Sequence, residues 1–237
     1  MENYAFITGS SDRIGKAIAL DLAKHGNNLL LHYNNSEEKA LKVKSLVDEF
    51  NVKSELVHFN FLEENDYDEF FSSLKKRNIS VQILVNCASD FRPSSFDEKG
   101  SELLRKEIRI NFENAYLLTK SFARYYDKGH IINFLDTKIK KNHSPHLDYI
   151  LSKKLFRDFT ELAAVELAPR FRVNAIAPGL VLPPAGKNEE YLLKLAENIP
   201  MKSIGNLEEI LKAFRFLIDS QFITGQTIYV DGGDHLI

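Results

Sequence analysis

Seven short apolar runs alternate along this chain with longer stretches of helical period, and that alternation leaves few folds open. The runs are residues 4–8, 28–33, 55–59, 83–86, 130–134, 172–176 and 226–230. Each is too short for a helix and nearly continuous in apolar side chains, as a strand covered on both faces must be. Between the first two, Ile14, Ala17, Ile18 and Leu22 fall on one face of a helix that stops near Gly26. A second helix begins after Ser36. Glu37 and Glu38 lie in its first turn, where the helix dipole favours acids, and Val43, Leu46, Val47 and Phe50 mark it by their spacing. Strands separated by helices need crossover connections, so the sheet is expected to be parallel, with helices on both faces. A chain of 237 residues suits one doubly wound α/β domain.

Composition excludes several classes. Charge is nearly balanced, 31 basic against 33 acidic residues. The basic clusters Lys75-Lys76-Arg77, Lys138-Ile139-Lys140-Lys141, Lys153-Lys154 and Arg170-Phe171-Arg172 are scattered. Nucleic-acid binding would need one concentrated basic face and is not expected. A single cysteine, Cys87, excludes an internal disulfide and accords with a reducing compartment. The chain runs straight into an apolar strand without a leader, and no apolar run approaches the roughly 18 residues of a membrane helix. A soluble, cytoplasmic protein is expected. His143 and His146 stand three apart in a proline-containing loop with no further ligand nearby, so no metal is expected.

The segment Thr8-Gly9-Ser10-Ser11-Asp12-Arg13-Ile14-Gly15 joins the first strand to the first helix. Glycines there let the backbone turn tightly and approach a pyrophosphate at the helix N-terminus, so Gly9, Ser11, Arg13 and Ile14 are candidate dinucleotide contacts. An acid at the end of the second strand would hold the adenine ribose and repel a 2′-phosphate. This chain has Tyr33-Asn34-Asn35-Ser36 there, with no acid until Glu37. Arg13 could reach such a phosphate, or be an ordinary surface residue; NADPH is expected over NADH. The irregular stretch from Pro178 to Gly186, continuing to about residue 199, reads as a substrate loop.

Tyr149 and Lys153, four apart, stack on one helix face, where an ammonium lowers a phenol's pKa. Asp136 stands thirteen residues before Tyr149. A carboxyl group aimed at the same spot implies a substrate other than an ordinary ketone. The alternative is a strand-end acid, with Thr137 as the working hydroxyl.

Further features accompany this pair. Asn86-Cys87-Ala88-Ser89 follows the fourth strand, Asn111 sits early in a helix, and Pro178-Gly179 follows the sixth strand. Near the end come Ile223-Thr224-Gly225-Gln226 and Val230-Asp231-Gly232-Gly233. In that order and spacing the chain resembles the short-chain dehydrogenase/reductase family along essentially its whole length. The resemblance implies a single-domain Rossmann fold that binds NADP(H). It makes Tyr149 the proton donor, has Lys153 bind the nicotinamide ribose and acidify Tyr149, and has Asn111 order a water linking Lys153 to solvent. It places Asn86 and Ala88 beside the cofactor ribose, and Tyr33, Asn34, Asn35, Ser36, Asn60 and Phe61 toward the adenosine end. Pro178 and Gly179 would border the nicotinamide, with Thr224 on the approach of the last strand. It also implies a homotetramer that buries the helix bearing Tyr149; the stripe Leu151, Leu155, Phe159 and Leu162 otherwise reads as packing against the sheet.

Within the family the details are similar to pteridine reductases and dihydromonapterin reductases. Arg13 replaces a middle glycine, Asp136 takes the usual serine position, and Asn86 to Pro93 resembles a motif whose phenylalanine, here Phe91, stacks on the pterin. The implied substrate is a dihydropterin (dihydrobiopterin, dihydromonapterin or dihydrofolate), met by Arg13, Ser89, Phe91, Asp136, Tyr149 and Leu180. Reducing a C=N bond puts hydride on carbon and a proton on ring nitrogen. A carboxyl group beside Tyr149 can donate or relay that proton if burial keeps it partly protonated. The departures are Cys87, read as packing behind the nicotinamide, Asn60 in place of an aspartate near the adenine, and Asn35 in place of an arginine. Phe91 as an ordinary loop aromatic is the alternative. The rival functions are a 3-oxoacyl-[acyl-carrier-protein] reductase or other carbonyl reductase, against which Asp136 and Phe91 count, and a non-catalytic NADP(H) sensor. Tyr149, Lys153 and Asn111 together count against the sensor.

Overall fold

The structure, a computed structural model, describes residues 2–97, 99–142, 145–184 and 186–237. Its strands are β1 (Glu2–Ile7), β2 (Asn28–Tyr33), β3 (Ser54–His58), β4 (Ile79–Asn86), β5 (Gly129–Phe134), β6 (Phe171–Pro178) and β7 (Thr227–Val230). The helices are α1 (Arg13–Lys24), α2 (Glu37–Asp48), α3 (Tyr67–Lys76), α4 (Glu102–Ile108), α5 (Asn114–Tyr125), α6 (Leu147–Glu166), α7 (Glu189–Ala196) and α8 (Leu207–Asp219). The strands form one parallel sheet in the order β3-β2-β1-β4-β5-β6-β7. This is the expected doubly wound, single-domain Rossmann architecture.

Alternation along the strands divides the core. Phe6, Leu30, Leu84, Ile131 and Val173 point to the face covered by Phe71 of α3, Phe122 of α5 and Ala163 of α6. Ile7, Leu31, Val85, Ile132 and Ile176, each an odd number of positions away, point to the other, covered by Ile18 of α1, Val43 of α2 and Phe214 of α8. The order reverses between β1 and β4, and the crevice outside the carboxyl ends of those strands is where such sheets bind ligands.

Four expectations are corrected. β4 begins at Ile79 rather than Ile83, because Ser80 and Gln82 interrupt the apolar run that marks its second half. Residues 180–199 are not loop throughout: Asn188 caps α7 by accepting from the Tyr191 amide, Glu189 and Glu190 favour its first turn, and Leu192 and Ala196 are buried. Of the stripe on α6, Phe159 packs against the core but the three leucines do not. Leu162 is 70% exposed and Leu151 and Leu155 are exposed as well, whereas Ile150, Phe156, Thr160, Ala163 and Ala164 are buried. In α2, Val43 and Val47 are buried but Phe50, beyond the helix end, is exposed. Among the described residues no helix is long and apolar enough to cross a membrane.

Candidate active site

The turn after β1 is held from three sides. Gly9 has φ +66°, and a Cβ there would lie 2.8 Å from the Cα of Ala88, so only glycine lets the two loops approach this closely. The Thr8 hydroxyl accepts from the Cys87 and Ala88 amides at 2.9 and 3.1 Å, tying the turns after β1 and β4 together. His32, buried in β2, accepts from the Gly9 amide through Nδ1 at 3.0 Å, and its Nε2 lies 3.2 Å from the Phe59 carbonyl. Its ring stacks on Phe61 at 4.5 Å. Burial pushes the imidazole down to about 4, so at neutral pH it is the uncharged tautomer that donates to Phe59 and accepts from Gly9. Its role depends on partners in two other segments.

The remaining nucleotide candidates are placed unevenly. Asp12 caps α1 through the Arg13 amide and pairs with Lys39 of α2 at 2.6 Å, a contact that, first among several, lowers its carboxyl below the ordinary range. Arg13 does not turn toward the end of β2. Its guanidinium donates to the Pro183 and Leu182 carbonyls at 2.9 and 3.4 Å, which puts it over the loop after β6. Tyr33 reaches Glu37 at 3.4 Å, while Asn35 is exposed and Ser36 only precedes α2 without a side-chain cap. Asn60 is engaged locally with Glu63 and the Leu62 amide. Ser11 and Ile14 are half-buried in the turn. Asn34 Oδ1 and Asn86 Oδ1 are buried without a hydrogen-bond partner among the described residues. Two orphaned acceptors, a left-handed glycine and a helix N-terminus make a cradle into which a dinucleotide fits.

The second cluster gathers at the ends of β5 and α6. Asp136 follows β5, and its Oδ1 accepts from the Lys138 amide at 2.8 Å. Its Oδ2 accepts from the Tyr149 hydroxyl at 2.9 Å, and the Lys138 ammonium stands 3.8 Å from Oδ1. Thr137, the alternative, points elsewhere and donates to Asp231 at 2.5 Å. Lys153 donates to the Phe134 carbonyl at 2.8 Å, with Nζ 5.9 Å from the Tyr149 ring centre. Burial lowers Lys153 to about 8. The expected acidification of Tyr149 is not seen in the protein alone: burial first, then the Asp136 charge, push the phenol well above its ordinary value.

Asn111 lies in a π-helical turn, Arg109–Glu113, between α4 and α5. Its Oδ1 accepts from Ser89 at 3.0 Å and the Asp90 amide at 2.8 Å. Its Nδ2 lies 2.5 Å from Glu107 Oε2 and 3.1 Å from both Ser152 Oγ and the Asp90 carbonyl. The side chain is thus saturated by protein partners and acts as a strut between the loop after β4, α4 and α6. Phe91 lies against His146, with ring centres 3.9 Å apart, and meets Tyr149 edge-on at 4.7 Å. Ser94 fixes this loop by taking the Asp148 amide at the start of α6. Burial pushes the Cys87 thiol up to about 12, which suits packing rather than nucleophilic work.

At the ends of β6 and β7, a Cβ on Gly179 would lie 2.6 Å from Asp231 Cβ, and Pro178 and Leu180 are half-buried. Thr224 accepts from the Val173 amide near the opposite end of β6, away from the cluster. Among the described residues no group of three metal-ligating side chains occurs; His143 lies outside the described residues. Sequence reading missed His32, Lys39, Glu107 and Lys138, each of which meets the site only through side-chain reach across elements or turns.

Residues 9–235 match the family model described as enoyl-(acyl carrier protein) reductase. The chain is 31% identical to general stress protein 39 of Bacillus subtilis, over 97% of this chain and 83% of the relative. It is 29% identical to the 3-oxoacyl-[acyl-carrier-protein] reductase FabG of Aquifex aeolicus, over 97% and 96%. Its structure is similar to that of FolM alternative dihydrofolate reductase 1 from Brucella suis in complex with NADP. The TM-score is 0.91 at 28% identity, covering 99% of this chain and 95% of that one.

Proposed function

Because the chain belongs to the short-chain dehydrogenase/reductase family and is an NADP-dependent oxidoreductase, we propose that it is a pteridine reductase. It would convert a dihydropterin (dihydrobiopterin, dihydromonapterin or dihydrofolate) to the tetrahydro form. The observation that carries this reading is the 2.9 Å hydrogen bond from Tyr149 to Asp136. A ketone reduction needs only a hydroxyl beside the tyrosine, to steady an alkoxide. A carboxylate in that place suits a substrate that must receive its proton on a ring nitrogen.

NADPH supplies hydride when bound. The chain's own residues handle the proton. The Tyr149 hydroxyl holds it and Asp136 Oδ2 accepts it, so a ring nitrogen beside Asp136 receives the phenol proton through the carboxyl group. Lys138, at 3.8 Å, steadies the carboxylate between transfers. Lys153, anchored on the Phe134 carbonyl, keeps a cation behind the phenol as it gives up its proton. Phe91 forms an aromatic wall with His146, on the same loop whose Ser89 meets Asn111. Arg13, turned over the loop after β6, serves the substrate side, and Lys39 replaces it as the cation for a 2′-phosphate. The exposed Leu151, Leu155 and Leu162 on α6 support a homotetramer that covers them.

The FolM structure with NADP supports the pterin reading, and the FabG relative supports the rival 3-oxoacyl reductase. NADPH oxidation with dihydropterin, dihydrofolate and a β-ketoacyl thioester, run side by side, separates them. Turnover with the dihydropterin is expected; turnover with the thioester alone would overturn the proposal.

A further inference from the structure

Below the Tyr149–Lys153 pair lies an acid that the proton path just described does not use. Glu107, on α4 one turn before Asn111, is 0% exposed. One carboxyl oxygen takes the Asn111 amide at 2.5 Å, and the other, Oε1, has no hydrogen-bond partner among the described residues. A leucine would fill such a site without the cost of desolvating a carboxyl group, so packing alone does not account for Glu107.

The surroundings give it a partner. Asn111 Nδ2 is within reach of both Glu107 Oε2 and Ser152 Oγ, and Ser152 precedes Lys153 and donates to the Tyr149 carbonyl at 2.7 Å. Other charges face Glu107 from the loop after β4, where Asp90 holds Arg92 at 2.8 Å and Lys106 of α4 at 3.5 Å. Those two cations are therefore already matched by Asp90. From α6, Tyr149 and Lys153 feel the Glu107 charge. Among the described residues Lys153 has only the Phe134 carbonyl as a hydrogen-bond acceptor, and no carboxylate within ion-pair distance.

We propose that Glu107 is a positioning residue, the internal charge partner that keeps Lys153 protonated from the α4 side, held in place by Asn111, which also donates to Ser152 next to Lys153. This rests on the reading of Tyr149 and Lys153 as the proton-transfer pair. Burial first, with Asp90 adding to it, raises Glu107 to about 7, while burial lowers Lys153 to about 8, so the two groups change charge in adjoining ranges. Once Glu107 is ionised, its charge holds the Lys153 proton to higher pH. Asp136 acts on Lys153 in the same direction, so removing Glu107 weakens this hold without abolishing it.

Glu107→Gln is the test, because the amide keeps the size and an acceptor for Asn111 but cannot ionise. The basic limb of the kcat/KM profile is expected to move down by about half a unit to one unit, so the rate at pH 8 falls roughly twofold to fivefold while that at pH 6 stays nearly unchanged. In infrared titration of the free wild-type protein, a buried protonated carboxyl band should disappear with a midpoint near 7 and be missing from the variant. An unshifted basic limb, or a wild type with no such titrating band, overturns the proposal. The infrared measurement on the wild type decides it even if the variant does not fold. It needs neither cofactor nor substrate, so a wild type that fails to reduce pterins would sink the functional reading separately.

Discussion

The Tyr149 hydroxyl donates to Asp136 Oδ2 across 2.9 Å, so the two groups proposed as proton donor and relay share one hydrogen bond. Replacing Asp136 by asparagine preserves the size and a polar contact but removes the group that passes the proton on. Asp136→Asn is expected to lower kcat for dihydropterin by about 100-fold, within the range for loss of one acid–base group. NADPH affinity, read by fluorescence titration, should change by less than about twofold, since Asp136 lies outside the phosphate turn. Unchanged turnover would remove Asp136 from the mechanism.

Lys153 is buried, and that burial lowers it to about 8. Its cation is present below that value and lost as pH rises through it. The rate of dihydropterin reduction should therefore fall above about pH 8, approaching tenfold per unit. A rate that stays flat to pH 10 would mean that some other group carries the charge.

His32 supports the phosphate turn as a neutral ring, pushed down to about 4 by burial. The unfolded chain takes up the proton near 6.5, the folded one only near 4, so unfolding binds a proton between these values. The stability contribution is full above 6.5 and is lost as pH falls through about 4. It amounts to roughly 3 kcal/mol for a shift of this size. Urea unfolding at pH 7, 5 and 4 should show wild-type stability falling more steeply than that of His32→Asn. His130, lowered to about 3 by burial, has the same sign and leaves the variant a residual slope.

Lys39 reaches Asp12 at the mouth of the turn, whereas Arg13 reaches the carbonyls after β6. Lys39→Ala should raise KM for NADPH about tenfold and leave NADH nearly unchanged, as expected for loss of one phosphate contact. Arg13→Ala should instead raise KM for the pterin. The opposite assignment of the two effects would restore Arg13 to the 2′-phosphate.

Phe91 and His146 stack at 3.9 Å beside Tyr149. Phe91→Ala removes this wall and should raise KM for dihydropterin roughly fivefold to tenfold, the effect of about 1 kcal/mol of lost stacking with some burial. Phe91→Tyr, which keeps the ring, should stay close to wild type. Equal KM values in all three proteins would assign Phe91 to loop packing.

The strands were legible because each apolar run must be covered on both faces, and the β2 boundaries agree with the reading to the residue. Where polar side chains broke a run, as Ser80 and Gln82 do in β4, the boundary was not legible. Tyr149 and Lys153 were legible for a related reason: a spacing of four on a helix is a local geometric constraint. The α6 stripe shows the limit of such reasoning. Periodicity identified an apolar face, but the packing of α6 decided that the core takes Phe156 and Ala163 beside Phe159, in place of the three leucines.

Local order along the chain thus determined the parallel sheet, the glycine turn, the Tyr149–Lys153 pair and the acid in register with it. Tertiary structure alone decided that Arg13 turns to Pro183, that His32 braces Gly9, that Phe91 meets His146 and that Glu107 lies beneath Asn111. Each of those contacts joins side chains from different elements or across a helical turn. Backbone periodicity fixes which face a residue occupies, while the direction and charge of a long side chain depend on what the folded chain brings opposite it.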